Sequence, residues 1–147
     1  MFRSIVVGTD GSETAEKAVD AAIDLAKLNG ATLELVSAYE PVSNQRLRRA
    51  AVDAPADMEW MIHRRAEVDA TLHNAAQRAT AAGVPVREHA REGDAADAIL
   101  DVAEELGADL IVVGNKGMTG AKRFLLGSVP NKVSHHAPCS VMIIRTT

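Results

Sequence analysis

Gly114, Gly117, Gly127 and Ser128 make the pattern G-x2-G-x9-G-S, which opens where the apolar run Leu110-Ile111-Val112-Val113 stops. A strand that leaves into glycines and then feeds a helix is suited to holding phosphate. Glycine lets the backbone come close to a ligand, and N–H groups without a partner at a helix start attract anions. The chemistry implied is nucleotide binding. Gly127-Ser128-Val129-Pro130-Asn131-Lys132 is expected to begin the last helix, because proline is tolerated in a first turn, where its missing N–H costs little. The N–H groups of Ser128 and Val129, with the Ser128 hydroxyl, are then placed to hold terminal phosphates. A plain N-cap role for Ser128 is compatible with that.

A second group of residues, Gly8-Thr9-Asp10-Gly11-Ser12, follows the first apolar run. Asp10 is positioned to take Mg²⁺ or a ribose hydroxyl; Asp10-Gly11 is equally a common turn pair, with Ser12 as cap of the next helix. Lys116 and the pair Lys122-Arg123 could neutralise phosphate charge from the glycine loop, although each alone reads as a solvated side chain. The histidines add little. His135-His136 falls in the last turn of the final helix, where the dipole favours a cation, and His63, His73 and His89 are dispersed. No zinc-ligand spacing, G-x-S-x-G elbow or Walker lysine occurs, and no general base stands beside a nucleophile.

The elements that must position these residues are legible in the pattern. Strands are expected at Arg3–Thr9, Thr32–Tyr39, Val84–Arg91, Asp109–Gly114 and Ser140–Arg145. Between them lie helix-like stretches, three of which end in glycine: Leu28-Asn29-Gly30, Ala81-Ala82-Gly83 and Glu105-Leu106-Gly107, the sign of left-handed helix stops. One helix carries Ala15, Ala18, Val19, Ala22, Ile23 and Ala26 on a stripe, and another Ala96, Ile99, Leu100 and Ala103. A longer one, Met58–Ala82, turns Met61, Ile62, Val68, Leu72, Ala75, Ala76 and Ala79 inward. Trp60, Met58 and Met61 cluster at its start, for core packing or loop docking, with adenine stacking the alternative.

Strands alternating with helices argue for βαβ crossovers and a parallel sheet. Ile5-Val6-Val7 and Leu110-Ile111-Val112-Val113 are unbroken apolar runs, as central strands covered on both faces should be. Pro85 cannot donate to a ladder, so Val84–Arg91 is an edge strand. The order 3-2-1-4-5 follows. In such a sheet the crevice between the C-terminal ends of the first and fourth strands is the ligand site. Residues Glu40 to Asp57 lack periodicity and are expected to form a loop over that crevice or at a partner surface.

The length of 147 residues suits one domain, 1–147, with a core of Ala, Val, Ile and Leu, since aromatics are only 3%. A net charge of −4 gives no broad reason to bind nucleic acid or an anionic membrane. The basic cluster Arg46-Leu47-Arg48-Arg49 reads as a solvated loop. No signal-peptide pattern and no run of membrane-spanning length is expected to direct the chain elsewhere than the cytoplasm. The single Cys139 permits no internal disulfide and, following Pro138 and preceding Val141–Ile144, is expected to be a buried, inert thiol.

Three segments together, Gly8-Thr9-Asp10-Gly11-Ser12, the Gly114…Gly117…Gly127-Ser128 pattern and His136-Ala137-Pro138-Cys139-Ser140-Val141, resemble the universal stress protein family from Arg3 to Thr147. The resemblance implies an α/β fold: a three-layer αβα sandwich with a five-stranded parallel sheet, Rossmann-like in the manner of the adenine nucleotide alpha hydrolases. It implies a cytoplasmic, regulatory stress-response protein that binds ATP between the first and fourth strands, with Mg²⁺ as companion, and at most hydrolyses it weakly. By the same resemblance Thr9, Asp10 and Ala38 would contact adenine and ribose, and Gly114, Lys116, Gly117, Gly127, Ser128 and Val129 the phosphates. Similar proteins that prefer cyclic AMP make that nucleotide the alternative ligand. Homodimers would pair through the last strand, Val141 to Ile144, whose two apolar faces independently call for a cover. Two departures stand out: Pro130 removes a helix-start N–H that other members offer to phosphate, and Lys116 occupies a variable position.

Overall fold

A computed structural model describes residues 1–39, 57–115 and 127–146, with residues 57–64 described by their backbone alone. The elements in chain order are β1 (Ser4–Gly8), α1 (Glu13–Asn29), β2 (Thr32–Tyr39), α2 (Asp57–Ala81), β3 (Val86–Glu92), α3 (Ala95–Leu106), β4 (Leu110–Gly114), α4 (Ser128–His136) and β5 (Ser140–Ile144). The strands form one sheet in the order β3-β2-β1-β4-β5. Every neighbouring pair is parallel, β1 lying between β2 and β4. Helices cover both faces, so this is the αβα sandwich that the alternation of patterns implies.

The apolar runs are unbroken because successive side chains enter two different cores. Ile5 and Val7 of β1, Leu33 and Leu35 of β2, and Leu110 and Val112 of β4 pack with the inward stripes of α1 and α2. Val6, Val36, Ile111 and Val113 point the other way, into a core shared with α3 and Val133 of α4. In α2 the expected Val68, Leu72, Ala75, Ala76 and Ala79 are all buried. Met58, Trp60, Met61 and Ile62 lie where side chains are not described, and residues 40–56, with the basic cluster, lie outside the described residues.

Helix ends follow their sequence signals. Ser12 caps α1, its Oγ accepting the Ala15 N–H, and α1 stops at Gly30 in the left-handed region, φ 66°. Asp94 and Gly107 (φ 60°) do the same for α3.

The third strand differs from its expected bounds. It starts at Val86, not Val84, and runs on to Glu92. The Val84 N–H is spent on the Ala79 carbonyl in the turn after α2, while the carbonyl of Pro85 accepts the Leu33 N–H at 2.8 Å. Proline enters the ladder as an acceptor only, and pairing in both directions waits for the next residue. The strand is nonetheless at the sheet edge. The helix after the loop begins at Asp57, which therefore belongs to α2. β2 has its expected bounds; β1 is one residue shorter at each end, β4 begins one residue later and β5 ends one residue earlier than their patterns suggest.

One residue of β2 breaks the apolar logic. Glu34 sits fully buried between Leu33 and Leu35. Arg87 Nε lies 3.0 Å from each of its oxygens and Nη2 2.6 Å from Oε2, while His89 Nε2 is 2.8 Å from Oε1. Both partners come from β3, so the edge strand is pinned to β2 by charge as well as by its ladder.

Candidate functional site

The chain leaves β1 toward α1 on one face of the sheet and leaves β4 toward α4 on the other, so a crevice opens between the C-terminal ends of these two adjacent strands. It contains a cavity of about 180 Å³. The β1 side is built by a tight loop. The Thr9 N–H still donates to the Val36 carbonyl at 2.9 Å, carrying the β1–β2 pairing one residue past the strand. The Thr9 hydroxyl then accepts the Gly11 N–H at 3.1 Å, and Asp10 Oδ1 accepts the Ser12 N–H at 2.8 Å. Asp10 is therefore a turn residue with a carboxylate still exposed to the crevice.

Two glycines of this loop let helices approach. Gly11 has φ +83°, and a Cβ there would stand 2.9 Å from Thr71 Oγ1 of α2. A Cβ on Gly8 would stand 2.4 Å from Ile99 Cδ1 of α3. Thr71 and Ile99 both line the cleft as a result, with Val68 and Glu67 of α2. The β2 end contributes Val36, Ser37 and Ala38.

The β4 side ends on a helix start that no side chain caps among the described residues. Gly127 is the N-cap of α4, with no side-chain cap bond. Its carbonyl accepts the Asn131 N–H at 3.1 Å, the first bond of the helix, which makes Ser128 the first helical residue and not the cap. The N–H groups of Ser128 and Val129 have no acceptor within α4, as helix geometry dictates, and Pro130 has no N–H to add. Val129 and the buried Pro130 line the cleft, and Ser128 is exposed beside them. Bare amides at the positive end of a helix dipole are a site for an anion.

Lys132, one turn further along α4, holds the carboxylates of Asp97 (2.8 Å) and Asp94 (3.4 Å) at the start of α3. The hydrogen bond to Asp97 raises its pKa against the opposing cost of burial. Among the described residues, no three His, Cys, Asp or Glu side chains converge in a way that could hold a metal ion.

Of the residues expected at the site, Thr9, Asp10, Ala38, Gly114 and Val129 line the cleft. Gly127 and Ser128 adjoin it at the helix start. Lys116 and Gly117 lie outside the described residues, as do Lys122 and Arg123. Sequence reasoning missed Ser37, Glu67, Thr71 and Ile99. Glu67 and Thr71 enter through the packing of a helix face and carry no local motif. Cys139 is half-buried, less enclosed than its neighbours suggest, and burial, followed by the charge of Asp109, pushes its thiol pKa up.

Residues 1–145 match the family model described as the Universal stress protein family. The chain belongs to the universal stress protein family. Among relatives, the universal stress protein Rv1636 of Mycobacterium tuberculosis is 40% identical over 147 residues, 99% of this chain and 98% of that protein. A universal stress protein whose crystal structure is in complex with cAMP is 34% identical, with a TM-score of 0.74 over 99% of this chain and 98% of the other. A universal stress protein from Archaeoglobus fulgidus, in complex with dAMP, is 26% identical with a TM-score of 0.70 over 98% of each chain. Like its relatives, this universal stress protein is built on the parallel sheet described above, and among the described residues no helix is long and apolar enough to cross a membrane.

Proposed function

We propose that this universal stress protein binds an adenine nucleotide in the β1–β4 cleft, with ATP as the ligand, and passes the bound state to a protein partner as a regulatory signal in the cytoplasm. The observation that carries the reading is the pairing of an apolar pocket wall, Val36, Ala38 and Val68, with the bare amides of Ser128 and Val129 at the other side of one crevice. A base needs the first and a phosphate the second. Relatives solved with cAMP and with dAMP support the adenine moiety. In this arrangement Thr9, Asp10 and Ala38 hold adenine and ribose, and Gly114, Lys116, Gly117, Gly127, Ser128 and Val129 the phosphates. Mg²⁺ accompanying ATP would find one carboxylate in Asp10, whose Oδ1 is already engaged by Ser12, which suits an ion held chiefly by the phosphates.

Cyclic AMP is the second reading. Pro130 leaves two helix-start amides where an ordinary residue would leave three, a set better matched to one phosphate than to several. The relative at 34% identity, solved with cAMP, favours the same ligand. The homodimer through β5 belongs to this proposal, because β5 is a sheet edge with Ile143 exposed.

The test is calorimetry with ATP, cyclic AMP and adenosine on the unaltered protein and on Ala38→Phe, which fills the β2 side of the pocket. Saturable heat with ATP that is lost in a folded A38F protein is expected; no heat with any adenine compound would overturn the reading. Tighter binding of cyclic AMP than of ATP at equal concentration would select the second reading.

A further inference from the structure

Asn115 follows Gly114 at the exit of β4 and is not among the residues lining the cleft, yet four hydrogen bonds meet on it. Its N–H donates to the Ile144 carbonyl at 2.9 Å, and its carbonyl accepts the Gly127 N–H at 3.2 Å. Its side-chain Oδ1 accepts twice from one residue, the Thr146 N–H at 2.8 Å and the Thr146 hydroxyl at 3.0 Å. Thr146 is 3% exposed, and its carbonyl accepts Lys17 Nζ of α1 at 3.3 Å. The strand exit, the start of α4 and the segment after β5 are thus tied at Asn115, and α1 joins them through Thr146.

We propose that Asn115 is a positioning residue for the anion end of the cleft: held by Thr146, it fixes Gly127 and so aims the Ser128 and Val129 amides at the ligand. The inference rests on the nucleotide reading above. Its physical basis is that, among the described residues, Gly127 has no side-chain cap and its N–H bond to Asn115 ties the helix start to the exit of β4. The Asn115 backbone can hold that register only if its own orientation is fixed, and the doubly accepting Oδ1 fixes it. An amide oxygen has two lone pairs, and both are used by Thr146. A donor array pays for its precision in advance, so an array loosened by even one turn loses affinity for the charged part of the ligand and not for the base.

Three variants separate this from general stability. Asn115→Ala removes both side-chain bonds; Thr146→Val removes the hydroxyl donor at a residue that does not line the cleft; Thr146→Ser restores it. Calorimetry with ATP and with adenosine should show ATP affinity about tenfold weaker in N115A and a few-fold weaker in T146V, with adenosine unchanged and T146S like the parent, given the usual worth of one or two hydrogen bonds. Amide hydrogen exchange without nucleotide should speed up at Gly127 in N115A, because its N–H donates to the Asn115 carbonyl. Equal losses for ATP and adenosine, or unaltered exchange at Gly127, would overturn the proposal. Faster exchange in N115A together with no uptake of ATP by the parent protein would uphold the clasp and sink the nucleotide reading alone.

Discussion

At the scale of single residues, the cleft is shaped by what two glycines leave out. Gly8 makes room for Ile99, whose Cδ1 would be 2.4 Å from a Cβ. Because that atom is the end of a flexible side chain, Gly8→Ala should fold with Ile99 displaced from its rotamer, at a cost of about 1 kcal/mol. The strain belongs to the pair, so the double variant with Ile99→Val should be less destabilised than the sum of the two single variants. Urea unfolding of all four proteins measures this, and strict additivity would refute it. Cys139 is a residue-scale case of the opposite kind, where chemistry is suppressed. Burial and the nearby Asp109 disfavour its thiolate, so alkylation at pH 8 should be slower than that of a free thiol and should accelerate once urea unfolds the chain. Alkylation as fast in the folded protein as in the unfolded would contradict the environment described.

At the scale of elements, the β2–β3 edge is the place where sequence pattern and structure part company. Removing one partner of a buried ion pair leaves the other without compensation, and the two partners here differ: Glu34 is fully buried, whereas the Arg87 side chain is 60% exposed. Arg87→Ala leaves the buried carboxylate with His89 alone; Glu34→Met leaves a guanidinium that water can solvate. The first should therefore lower the urea midpoint more than the second, and the reverse ranking would show that the pair is not governed by desolvation. The pattern Leu33-Glu34-Leu35 reads as alternation with a polar face, which is why the buried carboxylate was not legible: its partners arrive only when β3 pairs in register. Val84 misled for a related reason, since an apolar residue before Pro85 resembles a strand start although its N–H closes a turn. By contrast Ile5-Val6-Val7, Leu110–Val113 and the three glycine stops specify burial and helix ends locally, and from them the strand order and the crevice follow. Ser128 stands at the helix start as expected, but the plain cap role falls to Gly127, because cap assignment depends on which carbonyl takes the first helical bond.

At the scale of the whole molecule, two edges of the sheet have different fates. β3 is guarded by Arg87 and Glu88, which are exposed, while β5 presents Ile143 to solvent. A charged edge resists pairing and an apolar one invites it. Ile143→Lys should convert the proposed dimer to a monomer in light scattering while ATP uptake persists; a dimer that survives this change would place its interface elsewhere. The pairing of β1 with β4 carries a different consequence. It joins Ile5 to Leu110, and the Asp109 carboxylate receives the N–H groups of Arg3 and Ser4 across more than a hundred residues of chain. During synthesis, the opening β-α-β units can therefore leave the ribosome and begin to collapse with no receptor for a ligand among them, since the crevice is a seam between early and late halves of the polypeptide. Any small molecule that lodges in that seam acts as a rivet for the finished chain alone. At a hundred times its dissociation constant it would add about 2.7 kcal/mol to the folded state, so the cell's supply of that compound would set how long each copy survives proteolysis.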